Sequence, residues 1–214
     1  MWPRRGRERA RRGATGPGGD ARLREALAAV PREGFLREPD RVRAPHDGPI
    51  PIGHGQTNSQ PRTVADMLRL LDVQPGQRVL DVGAGSGWTT ALLARLVGPE
   101  GSVLGLEVVP EIARWGAENL RAYSAERTDL GQARLELADR SELGRPADGP
   151  FDRILVSAMA GRLPEPLVDQ LTDAGRMVCP VDGEMLLVQR DGPASAATIT
   201  SHGSYRFVPL IDPG

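Results

Sequence analysis

The sequence predicts an α/β fold: a doubly wound, mostly parallel sheet with an antiparallel edge at its C-terminal end. Three observations predict it. Beyond Pro61, stretches of helical periodicity alternate strictly with short apolar runs. A glycine-rich turn, Gly83-Ala84-Gly85-Ser86-Gly87, joins one such run to a helix. The last three apolar runs have no long helix between them, as an antiparallel edge requires.

The 214 residues, 39% of them hydrophobic, suffice for one domain with a full core and are too few for two comfortable ones. A formal net charge of -1 gives no whole-chain case for nucleic acid or an anionic membrane as partner. No apolar run reaches membrane-spanning length, and Arg4-Arg5 has no apolar stretch behind it to make an export signal. Cys179 is the only cysteine, which excludes an internal disulfide, and no Cys/His cluster has zinc-site spacing. A protein without a metal, working in a reducing cytoplasm, is expected. All 27 basic residues are arginine, so Schiff-base chemistry and a P-loop lysine are excluded.

Residues 1–19 read as a disordered tail, because Arg4, Arg5, Arg7, Arg9, Arg11 and Arg12 face only Glu8 and the stretch 13–19 is small and proline-broken. From Asp20, apolar Leu23, Ala26, Leu27 and Val30 recur at three- and four-residue spacing, a leading helix that Pro31 ends. Residues 31–61 carry Pro31, Pro39, Pro45, Pro49, Pro51 and Pro61 with Gly48, Gly53 and Gly55, which argues against regular structure. A loop of that length inside a compact domain is usually functional, and Phe35-Leu36 and Ile50-Pro51-Ile52 offer it apolar anchors. A helix at about 62–72 follows, then strand 78–82, helix 88–97, strand 103–107 and helix 110–121. Strands near 133–137 and 151–157, a helix at about 164–172, and strands near 176–180, 184–190 and 205–210 complete a single domain over residues 20–214.

Val79-Leu80-Asp81-Val82 is an apolar strand entering the glycine turn and then a helix, the context that makes a glycine pattern informative. Glycines let backbone approach a ligand closely, and the helix N-terminus offers unpaired N–H groups, so a nucleotide-like ligand is expected. A dinucleotide fingerprint needs G-x-G-x-x-G, and its third glycine position is Trp88 here. The D-x-G-x-G-x-G present resembles motif I of the Rossmann-like class I S-adenosylmethionine methyltransferases. That resemblance implies that Gly83, Gly85 and Gly87 wrap the methionine moiety of S-adenosyl-L-methionine while Asp81 reaches toward its amino group. Leu104-Gly105-Leu106-Glu107 ends the next strand with an acid whose two oxygens can accept both ribose hydroxyls, with Val108 beside it. In such enzymes an acid after the third strand meets the adenine amino group. Leu137-Ala138-Asp139-Arg140 occupies that place, which puts Asp139 and Arg140 in the cofactor site.

The acceptor is sought elsewhere. Enzymes that methylate amide or nucleobase amino groups carry an Asn/Asp-Pro-Pro-aromatic loop after the fourth strand, where this chain has Ser157-Ala158-Met159-Ala160-Gly161. Cys179 lies within an apolar run with Met177 and Val178 and reads as an inert buried thiol rather than a nucleophile. Pro51-Ile52-Gly53-His54-Gly55-Gln56-Thr57-Asn58-Ser59-Gln60-Pro61 closely resembles the P-I-G-x-G-Q-T-I-S-Q-P segment of the protein-L-isoaspartate O-methyltransferase family. The resemblance continues through Val30-Pro31-Arg32 with Phe35, Phe151-Asp152-Arg153-Ile154-Leu155-Val156-Ser157, Pro164-Glu165-Pro166-Leu167, Gly175-Arg176 and Phe207-Val208-Pro209-Leu210.

This resemblance implies methyl transfer to the carboxylate of L-isoaspartyl residues in damaged proteins or peptides, leaving S-adenosyl-L-homocysteine. The ester then closes to a succinimide that hydrolyses partly to normal aspartate. It implies that Ser59 is the active-site residue, with Thr57 beside it and Asn58 and Gln60 at the cofactor's methyl end. Chemistry permits so modest a group, because an aspartyl carboxylate is already ionised at neutral pH and is itself the nucleophile. What remains is orientation, which a hydroxyl donor can supply. No catalytic role is assigned to His46, His54 or His202, and Asp47 is placed to shape the substrate pocket.

Three departures from the family pattern matter. Asn58 stands where isoleucine is usual and would add a polar amide beside the methyl-transfer centre, opening the question of acceptor preference. Pro45 replaces a common aromatic, and Ala138 and Arg140 flank Asp139 where glycines are frequent. Three alternatives stay open: an aspartyl O-methyltransferase forming aspartimide in a dedicated peptide, an RNA-binding methyltransferase using residues 4–12, and a non-catalytic binding module. The working expectation is a monomer acting on isoaspartyl proteins or peptides, without a membrane or nucleic-acid partner.

Overall fold

The computed structural model describes residues 17–192 and 197–211. The expected arginine-rich tail thus lies outside the described residues, except that 17–19 are helical instead of continuing the tail. That helix, α1, covers Pro17–Ala29 of the described residues. It is followed by 3-10 turns at Arg32–Phe35 and Glu38–Arg43 and by a two-stranded hairpin, β1 (Ile50–Gly53) and β2 (Gln56–Asn58).

The remaining elements are α2 (Pro61–Leu71), β3 (Arg78–Val82), α3 (Trp88–Val97), β4 (Ser102–Glu107), α4 (Pro110–Ser124), β5 (Gln132–Leu137) and β6 (Phe151–Val156). Then come α5 (Glu165–Val168), β7 (Leu171–Val181), β8 (Glu184–Gln189) and β9 (Thr198–Ser204). Strands β3 to β9 form one sheet in the order β5-β4-β3-β6-β7-β8-β9. Pairing is parallel from β5 to β7 and antiparallel from β7 to β9.

The central strands read as unbroken apolar runs because both faces are covered. Val79, Val103, Leu155 and Val178 join the core on one face, with α1, α2 and α3. Their neighbours Leu80, Leu104, Ile154 and Cys179 join the core on the other, as period-two alternation demands.

Three expectations are corrected. Residues 50–58 do form regular structure: Gly53, His54 and Gly55 all adopt positive φ, and the two extended segments pair Ile50 with Asn58 across that turn. The helix expected at 164–172 is the single turn of α5, because Leu171 already pairs with Phe151 in the sheet. Its signal, Leu167, Val168 and Leu171, is buried as a helix face would be, and three residues cannot distinguish the two. The last strand is β9, a polar and half-exposed edge whose composition hid it. Residues 205–211 leave the sheet, and Pro209, which has no N–H for a ladder, makes only an isolated bridge to Met159.

Candidate active site

Val82 pairs with Leu106 on one side and with Val156 on the other, so Gly83, Glu107 and Ser157 emerge together at the carboxyl edge of the sheet. Here the strand order turns, with β4 and β5 to one side of β3 and β6 and β7 to the other. Such a switch point leaves a crevice in which α/β proteins bind ligands. The crevice is lined by Gly83, Gly85, Glu107, Val108, Asp139 and Arg140. The hairpin contributes Ile52, Gln56 and Thr57, and the C-terminal segment contributes Val208 to Ile211.

The glycine turn is held from below and behind. Gly83 and Ala84 donate their N–H groups to Leu106 O at 2.8 and 3.0 Å, and the Asn119 amide of α4 donates to Ser86 O at 3.0 Å. All three glycines have positive φ, and a Cβ on Gly87 would lie 2.8 Å from Gly116 O. Glu107 is fixed by two backbone donors, Gly85 N–H at 3.0 Å and Val109 N–H at 2.9 Å, one on each carboxylate oxygen. A carboxylate oxygen accepts more than one donor, so Glu107 keeps capacity for a pair of hydroxyls from the crevice. Asp139 accepts the N–H and the hydroxyl of Ser141, donors that hold its carboxyl below the usual range. With Glu142, these acids set three carboxylates against the one guanidinium of Arg140 in the lining. That balance disfavours a pyrophosphate and suits a cationic ligand.

Asp81 is fully buried and lies beneath the turn, outside the crevice lining. Its Oδ2 accepts from the hydroxyls of Thr89 and Thr90, both at 2.7 Å, while Oδ1 has no partner. The acid therefore ties the end of β3 to the first turn of α3. Burial pushes its carboxyl up to about 6, the two threonine hydroxyls oppose the shift, and Glu107 adds to it. A folded-state value above the unfolded 3.8 contributes stability that is full below pH 3.8 and lost as pH rises through 6. The expected result, read by chemical denaturation, is that Asp81→Asn gains on the wild type by about 2 kcal/mol between pH 4 and pH 7. A pH-independent difference would show that Asp81 does not titrate in this way.

The hairpin divides the remaining candidates. Thr57 lines the crevice, whereas Ser59, two residues on and half-buried, lies outside its lining, as does Gly87. Asn58 faces inward: it is 4% exposed, its Oδ1 accepts from Arg32 Nε at 2.6 Å and its amide donates to the Ser86 hydroxyl at 2.9 Å. Its amide is thus engaged within the framework, not turned to the crevice as its chemistry suggested. Gln60 likewise donates to Asp47 O and accepts from the Thr63 hydroxyl. Asp47 caps α2 through Arg62 N–H at 3.1 Å and does not line the crevice. Nor do His46, His54 or His202.

Motif spacing gives no role to several lining residues, among them Glu142, Ser157 and Ala158 just beyond β6, and Val208 to Ile211. The apolar run 207–211 was visible, and only the bridge of Met159 N–H to Val208 O (2.7 Å) and Leu210 N–H to Met159 O (2.8 Å) brings it across the crevice.

The family model described as protein-L-isoaspartate(D-aspartate) O-methyltransferase matches residues 14–213. A protein-L-isoaspartate O-methyltransferase of Aeropyrum pernix is 45% identical over 194 residues, spanning 89% of this chain and 72% of its own. One from Methanopyrus kandleri is 43% identical over 196 residues, spanning 89% and 83%. Among solved structures, a Plasmodium falciparum protein described as a protein-L-isoaspartate O-methyltransferase, crystallised with S-adenosyl-L-homocysteine, superposes with a TM-score of 0.75 at 27% identity. That superposition covers 88% of this chain and 89% of the other.

Proposed function

Because this chain belongs to the protein-L-isoaspartate(D-aspartate) O-methyltransferase family, we propose that it methylates the free carboxylate of L-isoaspartyl residues in damaged proteins or peptides. The reaction is S-adenosyl-L-methionine-dependent, and the ester it leaves opens the succinimide route back to aspartate. The geometric observation that carries the reading is that Thr57 of the hairpin lines the same crevice as Gly83, Gly85 and Glu107.

S-adenosyl-L-methionine, when bound, supplies a methyl group made electrophilic by a sulfonium. Glu107 would hold the ribose hydroxyls, with Val108 beside it. Gly83 and Gly85 would hold the methionine end, and Asp139 the adenine amino group with Arg140 at its side. An unshielded backbone at the turn and a negative lining fit that cation. The acceptor carboxylate is ionised at neutral pH, so one of its oxygens forms the new C–O bond as the C–S bond breaks and no proton moves. The task left to the chain is orientation: Thr57 and Ser59 would hold the second oxygen while the C-terminal segment narrows the crevice against water. With its amide engaged by Arg32 and Ser86, Asn58 offers no free group to the acceptor directly.

Among the described residues no helix is long and apolar enough to cross a membrane. A reducing compartment fits the chain's one buried thiol, which burial pushes up to about 12.

The test is methyl incorporation into matched isoaspartyl and aspartyl peptides, with incorporation expected only into the former. Ser59→Ala should lower kcat by about 100-fold with S-adenosyl-L-homocysteine affinity retained, since misplacement of this order costs about that much. Equal acceptance by both peptides would refute the substrate assignment, and an unimpaired Ser59→Ala the positioning role.

A further inference from the structure

The side chains of Arg32, Asn58 and Ser86 form a continuous buried chain that no part of the methyl-transfer chemistry uses directly. They are 5%, 4% and 3% exposed, which leaves water no access to replace a lost partner. Arg32 donates from Nε to Asn58 Oδ1 at 2.6 Å. A guanidinium carries only donors, so the oxygen of the Asn58 amide must face Arg32 and its nitrogen must face Ser86. The Asn58 amide accordingly donates to the Ser86 hydroxyl at 2.9 Å. Each end of that amide has one partner, and the partners belong to different parts of the site. Arg32 also donates to the carbonyls of Gly48, Asn58 and Ser59, and so belongs to the acceptor loop. Ser86 sits in the glycine turn, where Asn119 holds its carbonyl.

We infer that Asn58 is a positioning residue for methyl transfer. Through Ser86 it sets the distance and angle between the strand carrying Thr57 and Ser59 and the turn that holds the methionine end of the cofactor. The inference rests on the reading of that strand as the acceptor-orienting element. Thr57 and Ser59 flank Asn58 directly in the chain. In this chain the amide takes the place of the isoleucine usual in the family, so two hydrogen bonds, and not apolar packing alone, set the register of the hairpin on the turn. Since methyl transfer requires the acceptor oxygen in line with the methyl and sulfur, a loose register lowers turnover more than it lowers cofactor affinity.

Three variants test this. Ser86→Ala removes only the bridge and leaves the Arg32 clamp whole. Asn58→Leu removes both ends at near-constant volume. Asn58→Asp keeps an acceptor for Arg32 and offers a second oxygen to the Ser86 hydroxyl as donor. The expected result is a fall in kcat of at least about tenfold in Ser86→Ala and in Asn58→Leu, with S-adenosyl-L-homocysteine affinity within about threefold of wild type. Asn58→Asp should recover kcat to within about threefold of wild type, and Asn58→Leu combined with Ser86→Ala should be no slower than Asn58→Leu alone.

Amide hydrogen exchange supplies a readout that does not need a known acceptor: the amides of residues 56–59 should exchange faster in Ser86→Ala while those of β4 do not change. Wild-type kcat in Ser86→Ala, losses that multiply in the double variant, or unchanged exchange at 56–59 would each overturn the inference. If the wild-type protein fails to methylate isoaspartyl peptides, the functional reading falls, and the exchange experiment alone then decides whether the bridge couples hairpin to turn.

Discussion

Arg32→Met is expected to lower kcat/KM for isoaspartyl peptide by at least about 100-fold and to destabilise the protein by about 3–5 kcal/mol. The guanidinium donates to His46 O at 2.9 Å, Gly48 O at 2.9 Å, Asn58 O at 3.0 Å and Ser59 O at 2.8 Å as well as to the Asn58 amide. It also lies over the Trp88 ring, 5.6 Å from its centroid. Among the described residues no carboxylate hydrogen-bonds it, so its hydrogen bonds all go to carbonyl oxygens. Burial lowers its pKa to about 10, opposed by the field of Asp47, which leaves it charged at neutral pH. Methionine fills the volume but leaves buried carbonyls without donors, each costing about 1–3 kcal/mol. Those carbonyls belong to the segment that holds Thr57 and Ser59, so stability and turnover should fall together. Arg32→Lys should not restore either, because one ammonium cannot reach acceptors spread along a planar fork. Equilibrium denaturation and steady-state methyl transfer check both parts. A Lys variant with wild-type kinetics would show that charge, not the fork, is what matters.

Gly116→Ala is expected to weaken S-adenosyl-L-homocysteine binding by at least about tenfold and to lower stability by about 1–3 kcal/mol, the range for an overpacked contact. On an exposed helix the same change would stabilise by up to about 1 kcal/mol, so the sign itself is diagnostic. Gly116 lies buried within α4, where a Cβ would stand 2.4 Å from Gly85 O and 3.0 Å from a Leu135 methyl. The first of these is backbone of the ligand-holding turn and cannot swing aside. Either α4 or the turn must move, and Gly85 N–H would then lose its alignment with Glu107 Oε2. Calorimetric titration with S-adenosyl-L-homocysteine and thermal denaturation measure the two effects. A stabilised variant with unchanged affinity would contradict the packing described here.

The parts of the site that were visible in the sequence are those set by local pattern. The strand entering Gly83, the acid at Glu107 and the acid at Asp139 each occupy a strand end, and a strand end in a parallel sheet has one place to be. Asp81 was read by its type and not by its surroundings: the two hydroxyls that take its carboxylate, Thr89 and Thr90, lie in the sequence eight and nine residues away but carried no signal of their own. The 31–61 segment was read as irregular because proline and glycine dominate it. The hairpin inside it follows from left-handed backbone at Gly53, His54 and Gly55, which a count of turn-formers does not reveal. The edge strand β9 was missed for the opposite reason, since a half-exposed edge needs little apolar sequence to pair.

By itself, then, the amino-acid sequence determined the sheet, its direction of winding and the edge at which the crevice opens, because the periodicity of burial and the φ freedom of glycine act over a few residues. Only the tertiary structure decided what each polar side chain does. Arg32, Asn58 and Ser86 are separated by 26 and 28 residues, and their meeting depends on how three elements pack. In the low-dielectric interior a polar group must find a partner wherever the fold supplies one. For Asn58 that partner lies in the framework and not in the crevice.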